Sequence, residues 1–285
     1  MIRRSIFTAD DFGLDEAVNE AVERAHREGI LSSASLMVTA PAAADAVERA
    51  KRLPKLAVGL HLVLVQGVPA LPLAEAAPLA GEDGAFSNSP AAAGVRYYFS
   101  PAARRALARE IRAQFEAFAR TGLPLDHVDG HTHLHIHPVI FSLLLGIGRE
   151  FGMKAMRVPY EAPGPSWRAA RDGRLRRKLV STAFAPWASH MRRQLRARGI
   201  KFNDVIFGFH DTGAMTEELV LRQLEETPAG GVAEFYFHPA IRTTDRLTRA
   251  MPDYKNVEEF EALCSPRIRE ALGRLGISPI AFRDI

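Results

Sequence analysis

Apolar runs of strand length alternate along most of the chain with apolar positions at helical spacing. Arg4–Thr8 reads as a first buried strand. Leu14–Glu28 reads as a helix, with Ala17, Val18, Ala21, Val22 and Ala25 on one face and Gly29 as its stop. Ser33–Thr39 is a second strand, Ala42–Arg52 a second helix behind Pro41, and Leu56–Val65 a third strand. Ser100-Pro101 then opens a long amphipathic helix to about Thr121, with Gly122 as its stop. Leu125–Val128 is a strand, Pro138–Phe151 a helix and Lys154–Val158 a strand. Val205–Phe209, Ala233–Phe237 and Pro279–Phe282 complete a list of eight strands. Strands separated by helices predict a parallel sheet covered by helices. There is no internal repeat, low-complexity tail or linker. The expected architecture is a single α/β domain over residues 1–285, a distorted (β/α) TIM-like barrel, with an open doubly wound sheet as the second choice.

Two stretches break the rhythm. Residues 66–101 hold five prolines, alanine runs and Gly81-Glu82-Asp83-Gly84, and a connection this long inside a compact domain reads as a lid-like functional loop. Residues 168–201 read as a basic helical insertion with an apolar stripe through Leu175, Leu179, Phe184, Trp187, Met191 and Leu195, and Pro186 is expected to start a second helix. This segment carries eleven Lys/Arg and one acid, a net +10. The remainder carries 26 basic and 32 acidic residues, a net −6, within a total of +4. The segment is either a pair of ordinary amphipathic helices with solvated basic faces or a surface that docks on anionic lipid headgroups, with Phe184 and Trp187 at the interface.

Composition narrows the class further. An apolar fraction of 47% is ample for a sizeable core. The single cysteine, Cys264, excludes an internal disulfide and suits a reducing compartment. The first apolar stretch is too short for a signal-peptide core, and no window approaches a membrane span. The expectation is a cytoplasmic protein, peripheral on the inner face of the membrane at most.

The candidate chemistry lies in two short stretches that must meet in space. One is Asp10-Asp11. The other is the run His127-Val128-Asp129-Gly130-His131-Thr132-His133-Leu134-His135-Ile136-His137, which places five of the ten histidines within eleven residues. A strand with alternate residues facing solvent is the plain alternative, and the density of the run argues against it. Asp10, Asp11, His61, His131, His133, Arg157, His210 and His238 all fall at predicted strand ends, where barrel enzymes gather their catalytic groups. Two or three histidines and a carboxylate with open positions suit a divalent metal ion such as zinc, iron, cobalt or manganese. A neighbouring carboxylate can then serve as base and a separate histidine as acid, an assembly that hydrolyses amides or esters. Taken singly, His61 between two leucines reads as a core histidine, His127 as a strand residue facing packing, and His26 and His190 as surface or packing residues. Arg157 fits either a structural ion pair or the group that orients Asp10.

At these residues the chain resembles the YdjC-like family of carbohydrate deacetylases. The matching stretches are Thr8-Ala9-Asp10-Asp11-Phe12-Gly13, Gly59-Leu60-His61-Leu62, His127 to His135, Arg157-Val158-Pro159, Phe207-Gly208 with Thr212-Gly213-Ala214-Met215, and Glu234-Phe235-Tyr236-Phe237-His238-Pro239. They run in family order over nearly the whole chain. The resemblance implies a distorted barrel that removes acetyl groups from N-acetylated amino sugars. It further implies one divalent metal ion, zinc or magnesium foremost, on Asp11, His61 and His131, with Asp10 as general base, His238 as general acid and Arg157 beside them. His133, His210 and Asp211 are expected to touch substrate or to support those groups. Thr132 stands where the family often has a histidine, which leaves the role of His133 open. The match is nearest to the hopanoid biosynthesis-associated branch, implying a lipid-linked N-acetylglucosamine substrate. A homo-oligomer is compatible with all of this, and nucleic acid is not an expected partner.

Two other classes compete. A barrel phosphoesterase commonly places His-x-His on its first strand, where this chain has Asp10-Asp11. A non-catalytic module gripping nucleic acid or membrane through residues 168–201 would bind with steep salt dependence.

Overall fold

The computed structural model of the protein describes residues 3–285. Seven strands form one sheet, with every pairing parallel: β1 (Arg3–Phe12), β2 (Ser33–Leu36), β3 (Ala57–Leu62), β4 (Val128–Gly130), β5 (Val205–Phe207), β6 (Val232–Phe237) and β7 (Ile277–Ile280). The order is β4-β3-β2-β1-β6-β5. One flank of β1 pairs with β6 over Arg4–Ala9. The other is shared end to end, by β7 at Arg3–Ile6 and by β2 at Thr8–Phe12. Between β4 and β5 the gap is spanned by residues 154–160. Ala155 bridges Lys201, Met156 bridges Val128, and the Ile206 N–H donates to the Tyr160 carbonyl at 3.1 Å. The sheet therefore curls into a half-barrel, a distorted TIM-like wall with helices outside.

Each buried strand is apolar because both faces are covered. Phe235 stacks on Phe7 and Phe207, with ring centroids 5.2 and 4.7 Å apart, and so staples β6 to its two neighbours. The first helix, Glu16–Glu28, is capped by Asp15, which accepts from the Ala17 N–H, and it buries the face the apolar spacing predicts. Burying one Val or Leu side chain of such a face contributes about 1.5–3 kcal/mol.

Four expectations need correction. The first strand does not end at Thr8 but runs on to Phe12, so Asp10 and Asp11 lie inside β1. Lys154–Val158 is not a strand. Its pairing is limited to single bridges, and the Arg157 carbonyl is taken by the Nε2 of His135 at 3.1 Å. The basic segment does not break at Pro186, and one helix runs from Arg174 to Arg196. Pro186 and Thr182, the residue whose carbonyl it leaves without a partner, both face solvent, so water can replace the missing bond. Phe184 and Trp187 do not project outward. Both pack against the core, and the Trp187 indole N–H donates to the Ile136 carbonyl at 2.9 Å.

Residues 66–101 are partly helical, at Leu73–Ala76 and Pro90–Phe99. The segment is tied down at its base. The buried Glu110 accepts the Ala70 and Leu71 N–H groups at 2.8 and 3.0 Å, and the Tyr97 hydroxyl donates to the Leu64 carbonyl at 2.7 Å.

Candidate active site

β1 carries adjacent aspartates that both reach one cavity, which a regular strand forbids because neighbouring side chains point to opposite faces. The pairing with β2 jumps between Ala9 and Phe12, and Asp11 has φ of 60°. This bulge turns both carboxylates to the same side. After β4 the chain makes a second unusual turn, with Thr132 and His133 at φ of 52° and 55°. Left-handed backbone at three non-glycine residues is costly, and here all three line the same cavity.

Asp11 is the hub. Its Oδ1 lies 3.0 Å from the Nδ1 of His131 and 3.3 Å from the Nε2 of His61. Its Oδ2 is buried without a partner. His61 turns its other nitrogen, Nδ1, to Asp129 at 2.8 Å. In the neutral imidazole that bond fixes the tautomer and leaves Nε2 as the nitrogen able to bind a metal ion, the usual way a carboxylate supports a metal-binding imidazole. Donor atoms of Asp11, His61 and His131 all lie within 4.8 Å of one another. Asp10, His61 and Asp129 form a second such group. Its two carboxylates are already paired with Arg157, whereas the Asp11 group has a buried carboxylate oxygen without a partner, so the Asp11 group is the better cradle.

The surrounding charges favour a cation. Four carboxylates, Asp10, Asp11, Asp129 and Glu234, are buried around a single guanidinium, that of Arg157. Arg157 binds Asp10 through both nitrogens, Asp129 at 2.7 Å and Glu234 at 2.8 Å, and its guanidinium lies 5.0 Å from the Tyr236 ring centre. Burial pushes the Asp11 carboxyl up, but the charge and hydrogen bond of His131 and the bond from His61 outweigh it and hold Asp11 well below the usual range. Burial would lower the His61 imidazole. The Asp129 charge and the bonds to both aspartates overcome this and push it up to about 10. The space between Asp11 and Asp129 thus attracts positive charge, either a proton on His61 or a metal ion in its place.

The cavity, about 310 Å³, is also lined by Asp10, His133, His238 and the rings of Phe209, Tyr236 and Tyr254. The Nε2 of His133 lies 3.1 Å from the Tyr236 hydroxyl, which in turn donates to the Gly208 carbonyl. His133 is therefore a lining residue outside the donor triad. Burial and then the Arg157 charge keep its imidazole well below the ordinary value. His238 stacks edge-on against Tyr254, and its Nδ1 is 4.0 Å from Glu259. Burial lowers its proton affinity, with Asp11 and Asp10 pulling the other way. His210 and Asp211 turn instead toward the basic helix. His210 meets the Ser181 hydroxyl at 3.0 Å, and Asp211 holds both terminal nitrogens of Arg177. Neither lines this cavity.

Sequence reasoning assigned no role to Asp129, Glu234, Tyr236 or Glu259. A signal existed for Asp129, because β3 and β4 both carry ligand-type residues and His61 and Asp129 are Cα partners in their register. His127 packs as expected. Its ring stacks on Phe282 and fills the space a side chain at Gly59 would need, since a Cβ there would lie 2.4 Å from the imidazole. Ser35 links His127 to Asp129 at 3.1 and 2.9 Å.

Residues 4–274 match the family described as YdjC-like protein. A carbohydrate deacetylase of Brevibacillus brevis is 38% identical over 98% of both chains, and one of Geobacillus stearothermophilus is 29% identical over the whole chain and 98% of the relative. A crystal structure from Enterococcus faecalis, described as a putative cellobiose-phosphate cleavage protein, superposes with a TM-score of 0.77 at 24% identity, covering 100% of this chain and 99% of that one. An uncharacterized protein of Agrobacterium tumefaciens gives 0.52 at 12% identity, covering 99% and 89%. These two likenesses concern the fold.

Proposed function

The chain belongs to the YdjC-like protein family, and on that premise we propose that it is a metal-dependent carbohydrate N-deacetylase, which hydrolyses the amide of an N-acetylated amino sugar. The observation that carries this reading is the convergence of Asp11, His61 and His131 in one cavity with a carboxylate, Asp10, and a second imidazole, His238. The relatives named carbohydrate deacetylases support the substrate class. Asp11, His61 and His131 would hold the ion, and two imidazoles with one carboxylate suit zinc better than magnesium, which prefers an all-oxygen shell. Such an ion, when bound, makes a nucleophile of water at neutral pH and polarises the amide carbonyl.

The residues of the chain supply the rest. Asp10 takes the proton of the attacking water as general base, with both its oxygens held by Arg157. His238 gives a proton to the leaving nitrogen. Its acid form is lost as pH rises, and burial, by lowering its proton affinity, moves that loss toward lower pH. The rings of Phe209, Tyr236 and Tyr254 offer flat apolar faces to the C–H side of a sugar. The Thr132 position carries no ligand in this reading, and His133 lines the sugar site.

The finer substrate, a lipid-linked hopanoid N-acetylglucosamine glycoside, rests on the family resemblance and on the basic helix. Leu175, Leu179 and Val180 are exposed there among Arg174, Arg176 and Lys178, which suits peripheral contact with an anionic membrane. Among the described residues, no helix is long and apolar enough to cross a membrane. Residues 66–101 act in this reading as the lid over the site.

The test is acetate release from a panel of N-acetylated amino sugars, soluble and lipid-linked, beside aryl phosphates. Acetate from at least one amino sugar and no phosphate release is the expected result. Phosphate release without acetate would favour the phosphoesterase reading.

A further inference from the structure

A second, larger chamber of about 580 Å³ adjoins the catalytic cavity, and Asp11, His131, Gln66, Ala250 and Met251 line both. The two spaces differ in character. The smaller has three aromatic rings and holds Asp10 and His238. The larger has none, and Leu14, Met37, Val63, Val68 and Met251 give it an aliphatic side, with Thr39, Asn88, Arg246 and Arg249 completing its wall. Asp10 and His238 do not line it.

This asymmetry orients an amide substrate. The leaving nitrogen must lie within reach of His238, which puts the amino sugar in the smaller cavity. The other substituent of the carbonyl carbon is the acyl chain, and it points away from that nitrogen. It is therefore directed past Asp11 and His131 into the larger chamber, whose volume far exceeds what an acetyl methyl fills. We propose that this chamber is an acyl pocket, and that the protein also cleaves N-acyl amino sugars bearing aliphatic chains of several carbons. The inference rests on the deacetylase reading and extends it. The reaction is the same hydrolysis: the C–N bond breaks, the oxygen of water joins the acyl carbon to give a carboxylate, and a proton goes to nitrogen to give the free amine.

The experiment compares N-acetyl-, N-butyryl- and N-hexanoylglucosamine in two ways. Binding is measured by calorimetry on the metal-loaded Asp10→Asn variant, and turnover is measured on the wild-type enzyme. Each methylene fully buried strengthens binding by up to about fourfold, so hexanoyl should bind at least ~10-fold more tightly than acetyl. Pro41→Trp narrows the chamber at an exposed position outside residues 66–101 that lines it without lining the catalytic cavity. It should abolish the hexanoyl advantage and leave acetyl turnover unchanged. Hexanoyl binding no tighter than acetyl overturns the proposal, as does an equal loss on both substrates in Pro41→Trp. An octyl chain on the anomeric oxygen gaining affinity that Pro41→Trp removes would assign the chamber to the aglycone and also overturn it. Acetate release without cleavage of longer chains refutes the acyl pocket alone. No cleavage of any N-acyl sugar refutes it together with the deacetylase reading.

Discussion

Arg157 holds both carboxylate oxygens of Asp10, Nη1 to Oδ2 at 2.7 Å and Nη2 to Oδ1 at 2.8 Å, and its side chain is 0% exposed. A guanidinium fork in this geometry fixes both the position and the rotation of a carboxylate, which a single ammonium cannot do. The same side chain also meets Asp129 and Glu234, so it couples the proposed base to the carboxylate that orients His61.

Asp10→Asn keeps the shape of the pair and removes the base. It should retain metal and lose about 10²–10⁴-fold in turnover. Arg157→Ala leaves buried carboxylates without a countercharge and should cost roughly 3–5 kcal/mol of stability. Denaturant unfolding, with activity measured in parallel, separates the two effects, and near-normal turnover in Asp10→Asn would remove Asp10 from the mechanism.

Asp129→Asn should weaken metal binding about 10–100-fold without removing a ligand, because the amide no longer secures the Nδ1 proton of His61. Competition with a fluorescent chelator reads this directly. Unchanged affinity would mean that His61 is oriented by something other than Asp129.

Much of the architecture was legible in the chain. The first helix, the helix Pro101–Arg120 and the strands around Ala34, Leu60 and Phe235 follow from periodicity and from punctuation by Gly, Pro and capping residues. The site was legible through the residue types at strand ends. Its wiring was not. The bulge that brings Asp10 and Asp11 to one side, and the left-handed turn at Thr132 and His133, are strained conformations that local pattern does not announce. Trp187 and Phe184 show the opposite limit. Helical spacing puts them on one stripe, but only the fold decides whether that stripe meets the core or solvent, and Phe184 stacks on Phe209 beside the site.

Glu161 gives the stability a pH signature. Burial pushes its carboxyl up from 4.5 to about 7, against bonds from Ser166 and the His210 N–H. The folded form then binds more protons than the unfolded chain between about pH 4.5 and 7, so this group's contribution falls as pH rises through that window, by on the order of 3 kcal/mol in total. Glu161→Gln keeps the acceptor for the His210 N–H and should flatten the decline. Melting curves across that range in both proteins test it, and parallel curves would contradict it.

The basic helix divides into structural and free cations. Arg177 is buried in pairs with Asp211, Asp172 and Ser166, so Arg177→Gln should destabilise the fold. Arg174, Arg176 and Lys178 are exposed. The Arg174 guanidinium lies 4.6 Å from the Trp167 ring centre, so replacing only Arg176 and Lys178 by Gln should leave melting unchanged and reduce sedimentation with anionic vesicles, each charge near such a surface contributing roughly 1 kcal/mol. Equal sedimentation would make the helix an ordinary solvated face.

The central claim is that Asp11, His61 and His131 hold a metal ion on which hydrolysis depends. The most direct measurement is metal content and acetate release on a single preparation, taken as purified, after exhaustive chelation, and after adding back zinc. It should be repeated for Asp11→Ala, His61→Ala and His131→Ala. The account predicts one ion per chain, loss of activity with the ion and recovery on its return, and no stoichiometric metal in any of the three variants while the fold is retained. Acetate release that persists in fully stripped protein, or full metal content in all three variants, would contradict it.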